Sequence, residues 1–275
     1  MDECKRDGLE GRMKSRLMEY VHGHLTQPHW VLDHTFHELV SYYHRVNQNA
    51  YLDKQIRQLA PESIKTDDPY DLLHFIRHWT SLQILDLSDT DQQEHSRLQH
   101  RCQAQLLMEF TPPSLTFLSL SVTDELPSNF MASFSHQTNL ETLALGLVCK
   151  WRITKEGYYF EALQPLTKLK TLRIESETMH TLPPLPLLET LVWKLEAFRY
   201  PIYTDESLSR LLNLDWSTHF PSLTRVGLRG SRFYERSDDL ARILPTQLTS
   251  LNISDRYRIP KDRFSAKFLV KLKQM

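Results

Sequence analysis

The chain has 275 residues, of which 40% are hydrophobic and 24% charged, with a formal net charge of -1. That is room for one large domain or two small ones with an ordinary soluble core, and it excludes a binder that works through the charge of the whole molecule. Its three cysteines, Cys4, Cys102 and Cys149, form no close pair, so no disulfide framework is expected and a reducing compartment is.

In chain order, residues 1–11 are charged (Asp2, Glu3, Lys5, Arg6, Asp7) and are expected to be a disordered N-terminus without a signal peptide. No apolar run approaches the roughly 20 residues needed to cross a bilayer. The expected location is cytoplasmic, with nuclear as the alternative, and no membrane partner is expected.

Residues 12–80 read as helices. Leu32, Phe36, Leu39, Tyr43 and Val46 make one apolar stripe on a helix beginning near Pro28. Asp68, Pro69 and Asp71 spell a second helix start, followed by a stripe of Leu72, Ile76 and Trp79. The segment is expected to cap the open end of the stacked units beginning at residue 81, or else to dock a partner of its own. It is also rich in histidine. His34, His37 and His44, with Glu38, could share a helical face, but the spacing matches neither H-E-x-x-H nor H-x-x-E-H. They read as polar-face residues, and no metal or cofactor is expected.

From residue 81 one phrase recurs: apolar, two residues, apolar, one residue, apolar. It occurs at Leu82–Leu85–Leu87, Leu115–Leu118–Leu120, Leu140–Leu143–Leu145 and Leu169–Leu172–Ile174. It returns at Leu188–Leu191–Trp193, Leu223–Val226–Leu228 and Leu248–Leu251–Ile253. The intervals between first positions are 33, 25, 29, 19, 35 and 25 residues. The last two apolar positions sit two apart, as one face of a short strand requires. One unit cannot bury its apolar face alone, so units stack and their strands align. Most intervals have room for a return helix: Leu98, Cys102 and Leu106; Phe130 and Phe134; Leu208, Leu211 and Leu212; Leu240, Ile243 and Leu244 fall at helical spacing. In the shortest interval, Thr181-Leu-Pro-Pro-Leu-Pro forbids a regular helix and predicts an extended return.

Residues 81–275 with this phrase resemble the leucine-rich repeat superfamily, in an irregular intracellular form of about seven repeats. The resemblance implies an α/β solenoid with parallel strands on the concave side and a mostly helical convex side. The position three after the last strand residue, commonly Asn, Cys or Thr in the family, reads Thr90, Thr123, Val148, Glu177, Glu196, Ser231 and Arg256. A continuous polar ladder is therefore not expected there.

The resemblance also implies a non-catalytic protein-interaction module that binds on the concave face. Consistent with this, the chain has no G-x-S-x-G, no P-loop and no G-x-G-x-x-G, and its glycines total 7. Cys149 beside Lys150 reads as a core filler. Residues between the apolar strand positions should face outward, and they become basic toward the C-terminus. Residues 223–275 carry 12 Lys and Arg against 5 Asp and Glu. Arg173, Lys194, Arg225 and Arg229 are the expected partner-binding residues on the strands, and Phe233 and Tyr234 the expected aromatic anchors beside them. The expected partner is a protein with an acidic or phosphorylated segment. Two alternatives stand beside this. One is the substrate-recognition subunit of a ubiquitin ligase, of the F-box and leucine-rich repeat kind, although no F-box motif is found. The other is a nucleic-acid or phosphate binder using the basic end.

Overall fold

Apolar residues two apart, with the next pair a repeat away, build strands whose inner faces share one core. The computed structural model describes residues 19, 29–31, 63–65, 76, 79–87, 111–122, 130–147, 160–176, 181–195, 209, 212–230, 233 and 237–254. Among them, nine strands form one wholly parallel sheet in sequential order. They are β1 (His29–Val31), β2 (Ser63–Lys65), β3 (Ile84–Leu87), β4 (Phe117–Val122) and β5 (Thr142–Leu147). The sheet continues through β6 (Thr171–Ser176), β7 (Thr190–Leu195), β8 (Arg225–Arg229) and β9 (Ser250–Ser254). This is a leucine-rich-repeat-like α/β solenoid, and the seven copies of the phrase supply β3 to β9.

The register aligns like positions of the phrase. Leu85, Leu118, Leu143, Leu172, Leu191, Val226 and Leu251 pair in one continuous row. Two residues on, Leu87, Leu120, Leu145, Ile174, Trp193, Leu228 and Ile253 form a second. Both rows are buried as far as β8, and on β9 Leu251 and Ile253 are only partly buried. The first leucine of each phrase is buried beneath its strand, closed by a turn. Its amide donates to the carbonyl three residues earlier, at 3.0 to 3.4 Å, in all seven copies. The accepting residues are Trp79, Pro112, Gln137, Leu166, Leu185, Phe220 and Pro245, all buried, so the repeat is one buried position longer than the phrase. Gln137 is the polar member of that row. Its Nε2 donates to Thr111 Oγ1 at 2.7 Å, while its Oε1 has no partner.

Each strand start is locked to the repeat before it. The carbonyls of Gln83, Thr116, Glu141, Lys170, Glu189 and Thr224 each accept two successive amides from the following repeat, at 2.8 to 3.1 Å. Side chains beside the first leucine reinforce these bonds. Ser114 Oγ donates to the Leu82 carbonyl, Asn139 Nδ2 to that of Pro113, Ser222 Oγ to that of Pro186 and Gln247 Nε2 to that of Pro221. The polar ladder therefore runs along the approach to the strands. The positions after the strands, where the family pattern places one, lie outside the described residues.

Two expectations change. The sequence predicts helices over residues 12–80, one of them from near Pro28, yet this segment contributes β1 and β2. These extend the sheet in parallel register, His29 to Ser63 and Ser63 to Ile84. β2 covers the edge of β3 and β1 that of β2, and Ile64 enters the core at 0% exposure. Ile76 and Trp79, the end of the expected second stripe, are buried in the same core. The remaining stripe residues lie outside the described residues.

The mostly helical convex side is the second, and it changes only in part. The returns at Phe130–His136 and Phe160–Leu163 are 3₁₀ turns. Ser209 and Leu212 are helical, as are α1 (Trp216–His219) and α2 (Ser237–Ile243), while the expected helix around Leu98, Cys102 and Leu106 lies outside the described residues. Phe130 and Phe134 meet edge to face at 5.4 Å, and Trp216 and Phe220 do so at 5.9 Å. Such rings fill the core from a single turn, so a long helix is unnecessary. Asp215 caps α1 by accepting from the amides of Ser217 and Thr218 and from the Thr218 hydroxyl at 2.6 Å. These bonds, the Thr218 hydroxyl foremost, hold its carboxyl below the usual range. The proline-rich return over residues 181–185 is extended as predicted, with Leu182, Pro183 and Leu185 buried. β8 ends at Gly230, whose φ of 152° belongs to glycine and whose amide donates to the Ser254 carbonyl.

Candidate functional site

The face of the sheet opposite the core is lined by the residues between the apolar rows. Register arranges them in three lines. The first is Ile84, Phe117, Thr142, Thr171, Thr190, Arg225 and Ser250. The second is Asp86, Ser119, Ala144, Arg173, Val192, Gly227 and Asn252. The third is Ser121, Gly146, Glu175, Lys194, Arg229 and Ser254. The face changes character along the solenoid. At β3 and β4 it presents Ile84, 37% exposed, beside Phe117. The middle is small and neutral. From β6 onward it carries four cations against one carboxylate.

Arg173, Arg225 and Arg229 are exposed on this face, as the strand alternation requires. Among the described residues no carboxylate lies within ion-pair distance of any of the three. Lys194 differs: its ammonium bonds Glu175 Oε1 on the adjacent strand, and both side chains are about one-third exposed or less, at 26% and 32%. The pair neutralises the one acidic group among these cations and leaves the arginines as the open charge.

Phe233 is a correction. Its place among loop arginines predicts an exposed aromatic anchor, but it is 0% exposed, in the core with Leu240 and Leu244. Tyr234 lies outside the described residues, as do Arg232, Arg236, Arg256, Arg258, Cys149 and the histidines His34, His37 and His44.

Sequence reasoning passed over Gly227. It lies between Arg225 and Arg229 on β8, with Val192 and Asn252 on either side. Glycine inside a strand is destabilising by roughly 0.5–1 kcal/mol relative to alanine. Here no positive φ demands it, and a Cβ would meet Val192 Cγ1 and Cγ2 at 3.4 Å, ordinary contact. Glycine inside a strand often accompanies a bulge, a bend or the close approach of another group. The sequence signal was its position midway between two arginines of one strand face.

Elsewhere, Lys170 Nζ donates to Glu141 Oε2 at 2.9 Å across the approach ladder. That bond holds its ammonium above the usual lysine value. Among the described residues no group of three or more His, Cys, Asp or Glu could hold a metal ion, and no helix is long and apolar enough to cross a membrane.

No family model matches the sequence, and no curated protein sequence matches it. Among solved structures the chain is similar to the leucine-rich repeat-containing protein LegL7 from Legionella pneumophila. That alignment has 14% identity and a TM-score of 0.41, and covers 81% of this chain and 76% of that one. The repeat architecture itself rests on this chain's own register and burial.

Proposed function

We propose that the chain is a non-catalytic protein-interaction module that holds an acidic or phosphorylated segment of a protein partner. The contact surface is the C-terminal half of the open sheet face, the concave face of the expected solenoid. One observation carries the reading: three exposed arginines, Arg173, Arg225 and Arg229, share one face over β6 to β8 without a carboxylate partner among the described residues. Guanidinium forks suit carboxylate and phosphate groups bidentately, and a rigid parallel sheet holds them at fixed spacing without an ordering penalty for the backbone.

A set of equal-length acidic, phosphorylated, neutral and basic peptides, titrated against the full chain over a range of salt, tests this. Acidic or phosphorylated peptides are expected to bind, more weakly as salt rises. The double variant R225E/R229E should lose that binding, chiefly through slower association, and should still fold. Arg242 is exposed on α2, bonded to Asp239, and R242E is the control that should bind as the parent does. Equal loss in the control, or none in the double variant, refutes the surface. The same arginines would attract single-stranded RNA, so preference for an RNA oligonucleotide over every peptide would move the reading to nucleic acid.

A further inference from the structure

We infer that Arg173, Arg225 and Arg229 form a tripod for a single phosphate group on a phosphorylated peptide, seated over the floor made by Gly227 and Val192. The tripod rests on the interaction-module reading of the same face and narrows it to one ligand group at one place.

The geometry follows from register. Arg225 and Arg229 lie four residues apart on β8, so about 13 Å separates their backbones at roughly 3.3 Å per residue. Val192 on β7 pairs with Gly227 on β8 and with Arg173 on β6, so Arg173 lies two strands from Gly227. At roughly 4.8 Å between strands, Arg173 is about 12 Å from each of the other two arginines. The point equidistant from all three falls between Val192 and Gly227, about 7 Å from each backbone. That is close to the full reach of an arginine side chain. Three guanidinium groups can therefore meet at one anion only by lying low across the sheet, and the anion must then sit close to the floor.

The floor suits this. Gly227 presents no side chain, and Val192 is short and apolar. On the far side of Gly227 stands the exposed Asn252, an amide donor, with the hydroxyls of Ser250 and Ser254 beside Arg225 and Arg229. Among the described residues Glu175 is the one carboxylate on this part of the face, and Lys194 holds it. The arginines and the Asn252 amide thus flank the point.

Charge complementarity chooses phosphate over a single carboxylate. A phosphoserine carries about −1.5 to −2 charge and three acceptor oxygens, which three forks can satisfy together. One carboxylate has two oxygens and one charge, and a single fork fills it.

The test uses the full chain and a short glycine–serine peptide in three forms at one position: phosphoserine, serine and glutamate. The phosphoserine form is expected to bind at least about tenfold more tightly than either other form, the scale of one charge-assisted hydrogen bond. Gly227→Ala should keep the parent melting temperature or raise it, yet weaken the phosphopeptide about tenfold. Gly146→Ala, a glycine of the same face on β5, should leave binding unchanged. Arg173→Ala and Arg225→Ala should each remove most of the phosphate preference, and their losses should not add, because both act on one group. If the double variant R225E/R229E abolishes binding but Gly227→Ala, Arg173→Ala and the phosphate make no difference, the tripod is refuted and the acidic-partner reading stands. If none of the variants matters, both fall. Tighter binding of single-stranded RNA than of the phosphopeptide also overturns the inference.

Discussion

Leu143→Ala removes a side chain that is 0% exposed at the middle position of β5. It pairs with Leu118 on one side and Leu172 on the other, both also 0% exposed. The loss has a transfer part and a cavity part, and the cavity part depends on how far the surroundings relax. Relaxation is restricted here, because β4 and β6 hold β5 by parallel backbone bonds and by the paired amides at each strand start. The expected cost is therefore in the upper part of the leucine range, about 3–5 kcal/mol. At roughly 2–4 °C per kcal/mol for a chain of this size, the melting temperature should fall by about 6–20 °C. Leu251→Ala is the internal comparison. It occupies the same position on β9, where the side chain is only partly buried. Less apolar area leaves water there, so about 1–2 kcal/mol is expected. Leu172→Ala should behave as Leu143→Ala does, and the double variant should cost less than the sum because the two cavities merge. Calorimetry or circular dichroism melts of the four variants read these values. Equal destabilisation at Leu143 and Leu251, or melts of Leu143→Ala and Leu172→Ala within a degree of the parent, would refute the register.

Gln137→Leu should be close to neutral in a thermal melt, and Gln137→Leu with Thr111→Val should be the more stable of the two, because the pair removes a buried amide and its partner together. Removal of residues 1–78 strips β1, β2 and the Ile64 and Ile76 side chains from the β3 edge, so aggregation in size-exclusion chromatography is expected, and a monodisperse, cooperatively melting remainder would contradict it. Lys170 has a folded-state value raised by Glu141, so its contribution is fully present below the ordinary lysine value and is lost as pH rises through the raised one. Lys170→Met should flatten the alkaline end of a stability-against-pH curve. Glu175→Gln deletes the one carboxylate that the described residues place on the basic part of the open face and should speed association of acidic peptides at low salt.

The seven phrases were legible because burial and strand alternation both act on leucine, and β3 to β9 fall where they predict. β1 and β2 were not. Trp30 and Ile64 hold the middle position, but three residues earlier stand Gln27 and Pro61, so the phrase is broken where it would be recognised. Parallel pairing is made by backbone groups, which spell nothing in side chains. The approach ladder escaped notice for a similar reason, since Ser114, Asn139, Ser222 and Gln247 differ in type and share only a donor within reach of a carbonyl. On the open face, alternation correctly placed Arg173, Arg225 and Arg229 outward. The expectation for Phe233 failed because composition near a loop was taken for exposure.

The paired acceptance at each strand start separates two properties that a chain usually trades against each other. From β4 onward every repeat is fastened to its predecessor along its strand and at the strand start, by backbone groups that any residue possesses. Everything between one fastening and the next is free to differ in length, and the first leucines stand 19 residues apart at one place and 35 at another without a shift in register. Insertions and deletions therefore accumulate between the strands while the spacing of the open sheet face stays constant. A lineage could rewrite most of such a chain, change its outline and lose its textual likeness to its relatives, and still present arginines on the same lattice.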